Sequence, residues 1–151
     1  MSNLKVQDLR IGNFVYGLNE FQGTALSICS LHSDNTLRLL VGKDSIGCFY
    51  ANAIEPIELD FDWLGKFGFE KYEDVVCNEF ESCKRYVLKN VIDGTSNFEV
   101  HIIYSNYGGE NHTQWCYSID NDERFYPINS KLVHTLQNSF FLIAGYELEC
   151  Q

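Results

Sequence analysis

Turn-forming residues interrupt the segment from Leu9 to Leu59 at roughly 8–12-residue spacing, a rhythm that accommodates short antiparallel strands and little else. Gly12 and Asn13 punctuate the entry to a first strand in which Phe14 and Tyr16 share a face. Thr24 to Leu31 alternates, with Leu26 and Ile28 on one side. Ser33, Asp34 and Asn35 then form a turn before Thr36 to Val41, and Gly42 to Ser45 turns again into Ile46 to Tyr50. Pro56 lacks an amide donor and keeps Glu55 out of the helical region, so Ile54 to Leu59 reads as extended chain.

Asp60 is a good N-cap for a short helix from Phe61 to Phe67, and Gly68 suits the left-handed position that ends it. Trp63 and Phe67 share one side of this helix, which is expected to plug the rolled sheet or join it to the second half of the chain. Glu70 to Glu81 is acidic and weakly patterned, and reads as a loop or irregular strand. A second β region comes next: Arg85 to Lys89, an Asp93-Gly94 turn, alternation from Asn97 to Tyr104, then Gln114 to Ile119 and Arg124 to Ile128. Ser105 to His112, with Gly108 and Gly109 inside it, reads as the clearest loop in the chain. Ser130 is positioned to cap a last helix, Lys131 to Ala144, whose Leu132, Val133, Leu136, Phe140 and Ile143 make an amphipathic stripe before Gly145. The expected fold is therefore α+β and β-rich. It comprises an SH3-like or rolled N-terminal β unit over 1–59, a short linking helix over 60–69, a second antiparallel region over 84–128 and a C-terminal amphipathic helix over 130–145. One compact domain spans 1–151.

Charge narrows the function classes. Acidic residues outnumber basic ones 21 to 11, a formal net charge of −10. Affinity for duplex nucleic acid comes largely from neutralising phosphates, so direct DNA or RNA binding is disfavoured. A local basic pocket for a small phosphate ligand is not. No apolar leader precedes Asp8, and no run approaches the ~18 apolar residues of a membrane span, which places the expected location in the cytoplasm. The six cysteines, at 29, 48, 77, 83, 116 and 150, are then expected to be reduced.

Several residue sets carry candidate chemistry. Cys77, Cys83, His112 and Cys116 are zinc-type ligands, but the five-residue gap between the first two exceeds that of a common knuckle, so no metal is expected. A Cys116–His112 thiol dyad would require the histidine to fold back along the chain. The acidic cluster of Glu70, Glu73, Asp74, Glu79 and Glu81 is more naturally a solvated face than a metal or acid–base site. The aromatic set at the expected loop is the strongest of these: Tyr104, Tyr107, His112, Trp115 and Tyr117, with Arg85 or Arg124 on neighbouring strands. Rings of this kind stack on nucleobases, and a guanidinium meets phosphate. The competing reading is a hairpin whose rings merely pack.

Three stretches carry a resemblance. They are the opening Leu9-Arg10-Ile11-Gly12-Asn13, the Ile54-Glu55-Pro56-Ile57 segment before Trp63-Leu64-Gly65-Lys66-Phe67-Gly68-Phe69, and Val133-His134-Thr135-Leu136-Gln137-Asn138 ahead of Phe140 to Leu148. In this order they resemble a group of small proteins of phages and mobile elements of Bacteroides-type bacteria. The resemblance implies an origin and carries no assigned activity. Small phage-type proteins inside a bacterial host cell commonly act by binding, and from that context the expected function is non-catalytic counter-defence by sequestering a host nucleotide immune signal, without a cofactor. Two alternatives stay open: inhibition of a host defence protein through an acidic, nucleic-acid-mimicking surface, and a small nucleotide-cleaving hydrolase. The expected partner is thus a small nucleotide or a host defence protein, with no direct nucleic acid and no membrane, and a homo-oligomer is compatible with either.

Overall fold

A computed structural model describes residues 4–120 and 122–151. The chain is α+β and β-rich, with two antiparallel sheets and a C-terminal helix. The first sheet holds β1 (Phe14–Gly17), β2 (Ala25–Leu31), β3 (Thr36–Leu40), β4 (Ile46–Tyr50) and β5 (Ile54–Glu55), in the order β4-β3-β2-β1-β5. It curls around Leu9, Val15, Leu26, Ile28, Leu37, Leu39 and Ile54, the inward set of its alternation. These five strands fall where the turn rhythm puts them.

Helix α1 (Phe61–Lys66) comes after them, and the Asp60 carboxylate accepts a hydrogen bond from the Trp63 amide at 2.9 Å, as a capping residue should. The second sheet contains β6 (Glu70–Lys71), β7 (Val75–Asn78), β8 (Glu81–Ile92), β9 (Ser96–Tyr107), β10 (Glu110–Ile119) and β11 (Tyr126–Pro127). Its order is β11-β10-β9-β8-β6, and β7 pairs with β8 beyond β6. Helix α2 (Val133–Ala144) closes the chain and ends at Gly145, whose φ of 79° is the left-handed conformation glycine adopts without strain.

Two local expectations require correction, and a third resolves to one of its alternatives. The acidic stretch from Glu70 to Glu81, expected as a loop or irregular strand, forms β6, β7 and the start of β8, with a register shift between Val76 and Asn78. All of β7 is exposed, so no buried face imposed an alternation that could reveal it. Ser105 to His112 is the end of a long hairpin, not a loop. Gly108 and Gly109, at φ 65° and 85°, make its tight turn, and the Asn106 side-chain amide donates to Asn111 Oδ1 at 2.7 Å across the strands. Ser130 does not cap α2. The helix begins at Val133, whose amide donates to Ile57 O (2.9 Å), and just before it Lys131 O accepts from Leu59 N (3.0 Å). The Ser130 hydroxyl instead lies 2.7 Å from Thr135 Oγ1.

One face of the second sheet, here the front, packs on both helices. Phe98, Val100, Ile102, Tyr86 and Leu88 meet Trp63, Leu64, Phe67, Leu136 and Phe140 there. The buried Gln137 joins this core to the first sheet. Its Oε1 accepts from Phe14 N (2.9 Å), and its Nε2 donates to Gly12 O (3.0 Å) and Leu148 O (3.2 Å).

Two buried histidines make folding sensitive to acid. Burial pushes His101 and His134 below the ordinary imidazole value, opposed at His101 by Glu99 and at His134 by Asp8. The unfolded chain takes up protons as pH falls below about 6.5, where the folded chain still resists them, so stability is present above that value and is lost progressively below it. Urea midpoints measured from pH 7.5 to pH 5 should fall, and the His134→Gln variant should show a shallower decline.

Candidate functional site

Strand register decides which side chains meet. Directly opposed residues share a face, so Tyr104, opposite Ser82 and Thr113, shares the front with Lys84, Tyr86, Trp115 and Tyr117. Arg85, Tyr107 and His112 have the opposite parity and lie on the rear. The seven aromatic and cationic residues singled out in the sequence therefore do not form one cleft.

Their individual surroundings bear out the division. Tyr117 is stacked between Phe98 (5.2 Å) and Tyr126 (5.3 Å) and belongs to the core. Tyr107 is exposed at the hairpin tip, 6.1 Å from the Phe80 ring. His112 is exposed, with its Nε2 3.8 Å from a Glu110 oxygen. It stands opposite Ser105 and does not fold back to Cys116, whose buried thiol points to the His101 carbonyl at 3.6 Å. Burial pushes that thiol up to about 11. Arg85 is held by Glu99 through two bonds of 2.9 and 2.7 Å, and Arg124 by Asp122 through bonds of 3.0 and 2.8 Å. Neither guanidinium is free to be the site's cation.

Tyr104 and Trp115 do come together, around three residues absent from the sequence-based set: Phe61, Lys84 and Lys131. Phe61 projects from the first turn of α1 and is 42% exposed. Its ring stacks near Tyr86 (5.8 Å) on one side and Trp115 (6.0 Å) on the other. The Lys84 ammonium lies 5.1 Å from the centre of the Phe61 ring and 5.3 Å from that of Tyr104. Lys131, at the foot of α2, places its ammonium 5.4 Å from the Trp115 ring and 3.0 Å from a Glu58 oxygen. A depression of about 550 Å³ runs between Thr113, Trp115, Ile128 and Lys131. A second, of about 470 Å³, reaches Ser82, Tyr104 and Thr113 from the hairpin side.

The reason for this shelf is geometric. Strands β8, β9 and β10 are much longer than α1, so the front face continues beyond the helix that covers it, and Phe61 marks the limit of cover. Ring faces with ammonium groups against them can hold a flat, anionic molecule: the rings stack on its planar part and the lysines meet its charge. The parity of β8 carried a signal, since Lys84, Tyr86 and Leu88 alternate, but only the pairing to β9 shows which aromatics they join.

Compared with protein-family models, with curated proteins and with solved structures, the chain matches none. Among the described residues, no helix is long and apolar enough to cross a membrane.

Proposed function

We propose that the shelf of Phe61, Lys84, Tyr104, Trp115 and Lys131 binds a small nucleotide and holds it without turnover. The observation that carries this reading is Lys84. In a chain of net charge −10, its ammonium is held between two aromatic rings and makes no ion pair among the described residues. A phosphate would supply the missing anion, and a base would stack on the exposed ring of Phe61 or on Tyr104. Base–aromatic stacking contributes about 1–3 kcal/mol per base. Taken with the resemblance to phage and mobile-element proteins, the corresponding role is sequestration of a host nucleotide immune signal inside a bacterial cell.

Phe61→Ala and Lys84→Gln each remove a half-exposed or exposed group and should leave the fold intact. Each is expected to weaken nucleotide binding at least about fivefold, the lower end of a stacking contribution. Calorimetric titration with a panel of purine and pyrimidine mononucleotides and dinucleotides measures this. Unchanged affinity in both variants would remove the shelf from consideration. Heating the loaded protein distinguishes holding from cleavage: intact nucleotide should be recovered, and altered nucleotide would mean turnover.

A further inference from the structure

The rear of the second sheet carries a separate cluster that the nucleotide reading does not use. Glu99, fully buried, receives the two bonds from Arg85. His101 lies beside it on the same face, 3% exposed, with the Phe125 ring edge-on at 4.8 Å. Its Nε2 is 2.9 Å from Ser118 Oγ and 3.3 Å from Glu99 Oε2, and its Nδ1 is 3.7 Å from Cys83 Sγ. An ionised carboxylate only accepts, so the proton on Nε2 is fixed by Glu99 and the Ser118 oxygen, leaving the Nδ1 lone pair facing the thiol. Thiol, imidazole and carboxylate thus stand in the order of nucleophile, base and orienting group. Cys83 itself is half-buried, so a small reagent can reach it.

We propose that Cys83 is a reaction site, a thiol that His101 deprotonates during attack on small disulfides. The Cys83 sulfur attacks one sulfur of the disulfide while its proton passes to His101 Nδ1. A new S–S bond forms, the old one breaks, and the departing thiolate takes the proton from the imidazolium. The products are a mixed disulfide on Cys83 and one free thiol, with no net oxidation.

The resting pair is uncharged. Burial first, then Cys77, raises the Cys83 thiol, with Arg85 opposing and Asp74 reinforcing; burial first lowers His101, with Glu99 opposing and Arg85 reinforcing. Cys116 on β10 and Tyr72 against Arg85 complete the titratable surroundings. Burial holds His101 towards its neutral, proton-accepting form, so the reaction does not wait for a thiolate to form in solution.

The test is labelling of the full chain with 5,5′-dithiobis(2-nitrobenzoate) at pH 6, 7 and 8, with sites assigned by peptide mass spectrometry. The exposed Cys48 serves as the internal free thiol. A thiol that must ionise in solution before attack reacts about tenfold faster per pH unit below the ordinary free-thiol value of about 8.5, and Cys83 is compared with the exposed Cys48. Cys83 should outpace it at pH 6 and change less than about threefold over the range. His101→Gln should slow Cys83 about a hundredfold at pH 7, the lower end of the usual range for general-base assistance, and give it the free-thiol slope. Cys83→Ser should abolish the fast phase without altering Cys48, a result that does not depend on how the His101 variant folds. Cys83 labelling slower than Cys48 at pH 6, or rising with pH as Cys48 does, would overturn the proposal.

Discussion

Gln137→Leu is expected to destabilise the protein by about 3 kcal/mol or more, although leucine nearly matches glutamine in volume. The side chain is fully buried and satisfies three backbone groups from distant parts of the chain: Phe14 N, Gly12 O and Leu148 O. Leucine returns nothing to any of them, and each buried group left unpaired costs about 1–3 kcal/mol. The loss also falls where the first sheet is tied to α2, so the two sheets should unfold less cooperatively. Urea denaturation followed at two probes measures both effects. A lower midpoint with non-coincident transitions is the expected result. Asn138→Ala provides the contrast, because the half-buried side chain satisfies a single backbone group, its amide donating to Asp8 O, while its own oxygen is unpaired, and its loss should cost under about 1 kcal/mol.

The second large effect is at Arg85. Arg85→Met should cost about 3–5 kcal/mol, because it strands the fully buried Glu99 carboxylate without its two charge-assisted hydrogen bonds. Removing both partners is a different perturbation. The double variant Arg85→Met, Glu99→Leu leaves no uncompensated charge and should recover most of the loss. Denaturation of the single and double variants at neutral pH distinguishes a stranded charge from simple loss of packing. Equal destabilisation of the two would assign the cost to packing.

The contrast between what is legible in the sequence and what is not arises from burial. Val15, Leu26, Ile28, Leu37 and Leu39 alternate because each faces a closed core, and their strands are readable. Asp60 and Gly145 mark helix ends through local chemistry, and those too are readable. Val75 to Asn78 and Asn106 to Glu110 have no buried face, so their pairing leaves no apolar pattern, and composition suggests loops in their place. The candidate site fails to appear for another reason. Its cation and rings come from α1, β8, β9, β10 and the approach to α2, and pairing register alone places Lys84 beside Tyr104 while turning Arg85 to the rear. Arg85 looks available in the sequence because the carboxylate that holds it, Glu99, lies on the next strand and meets it only through the fold, whereas Asp122 is two residues from Arg124 and its hold is local.

Trp115 allows the shelf to be interrogated directly: of the chain's two tryptophans, both largely buried, it is the one at the edge of cover, against Phe61 and Lys131. In a Trp63→Phe variant the remaining indole stacks against Phe61 within the proposed site. Titrating this variant with the nucleotide panel should produce a saturable change in Trp115 fluorescence that weakens with salt and is lost when Lys84→Gln is added. No saturable change with any nucleotide, or a change that persists undiminished in the Lys84→Gln background, would contradict the claim that this face holds a nucleotide.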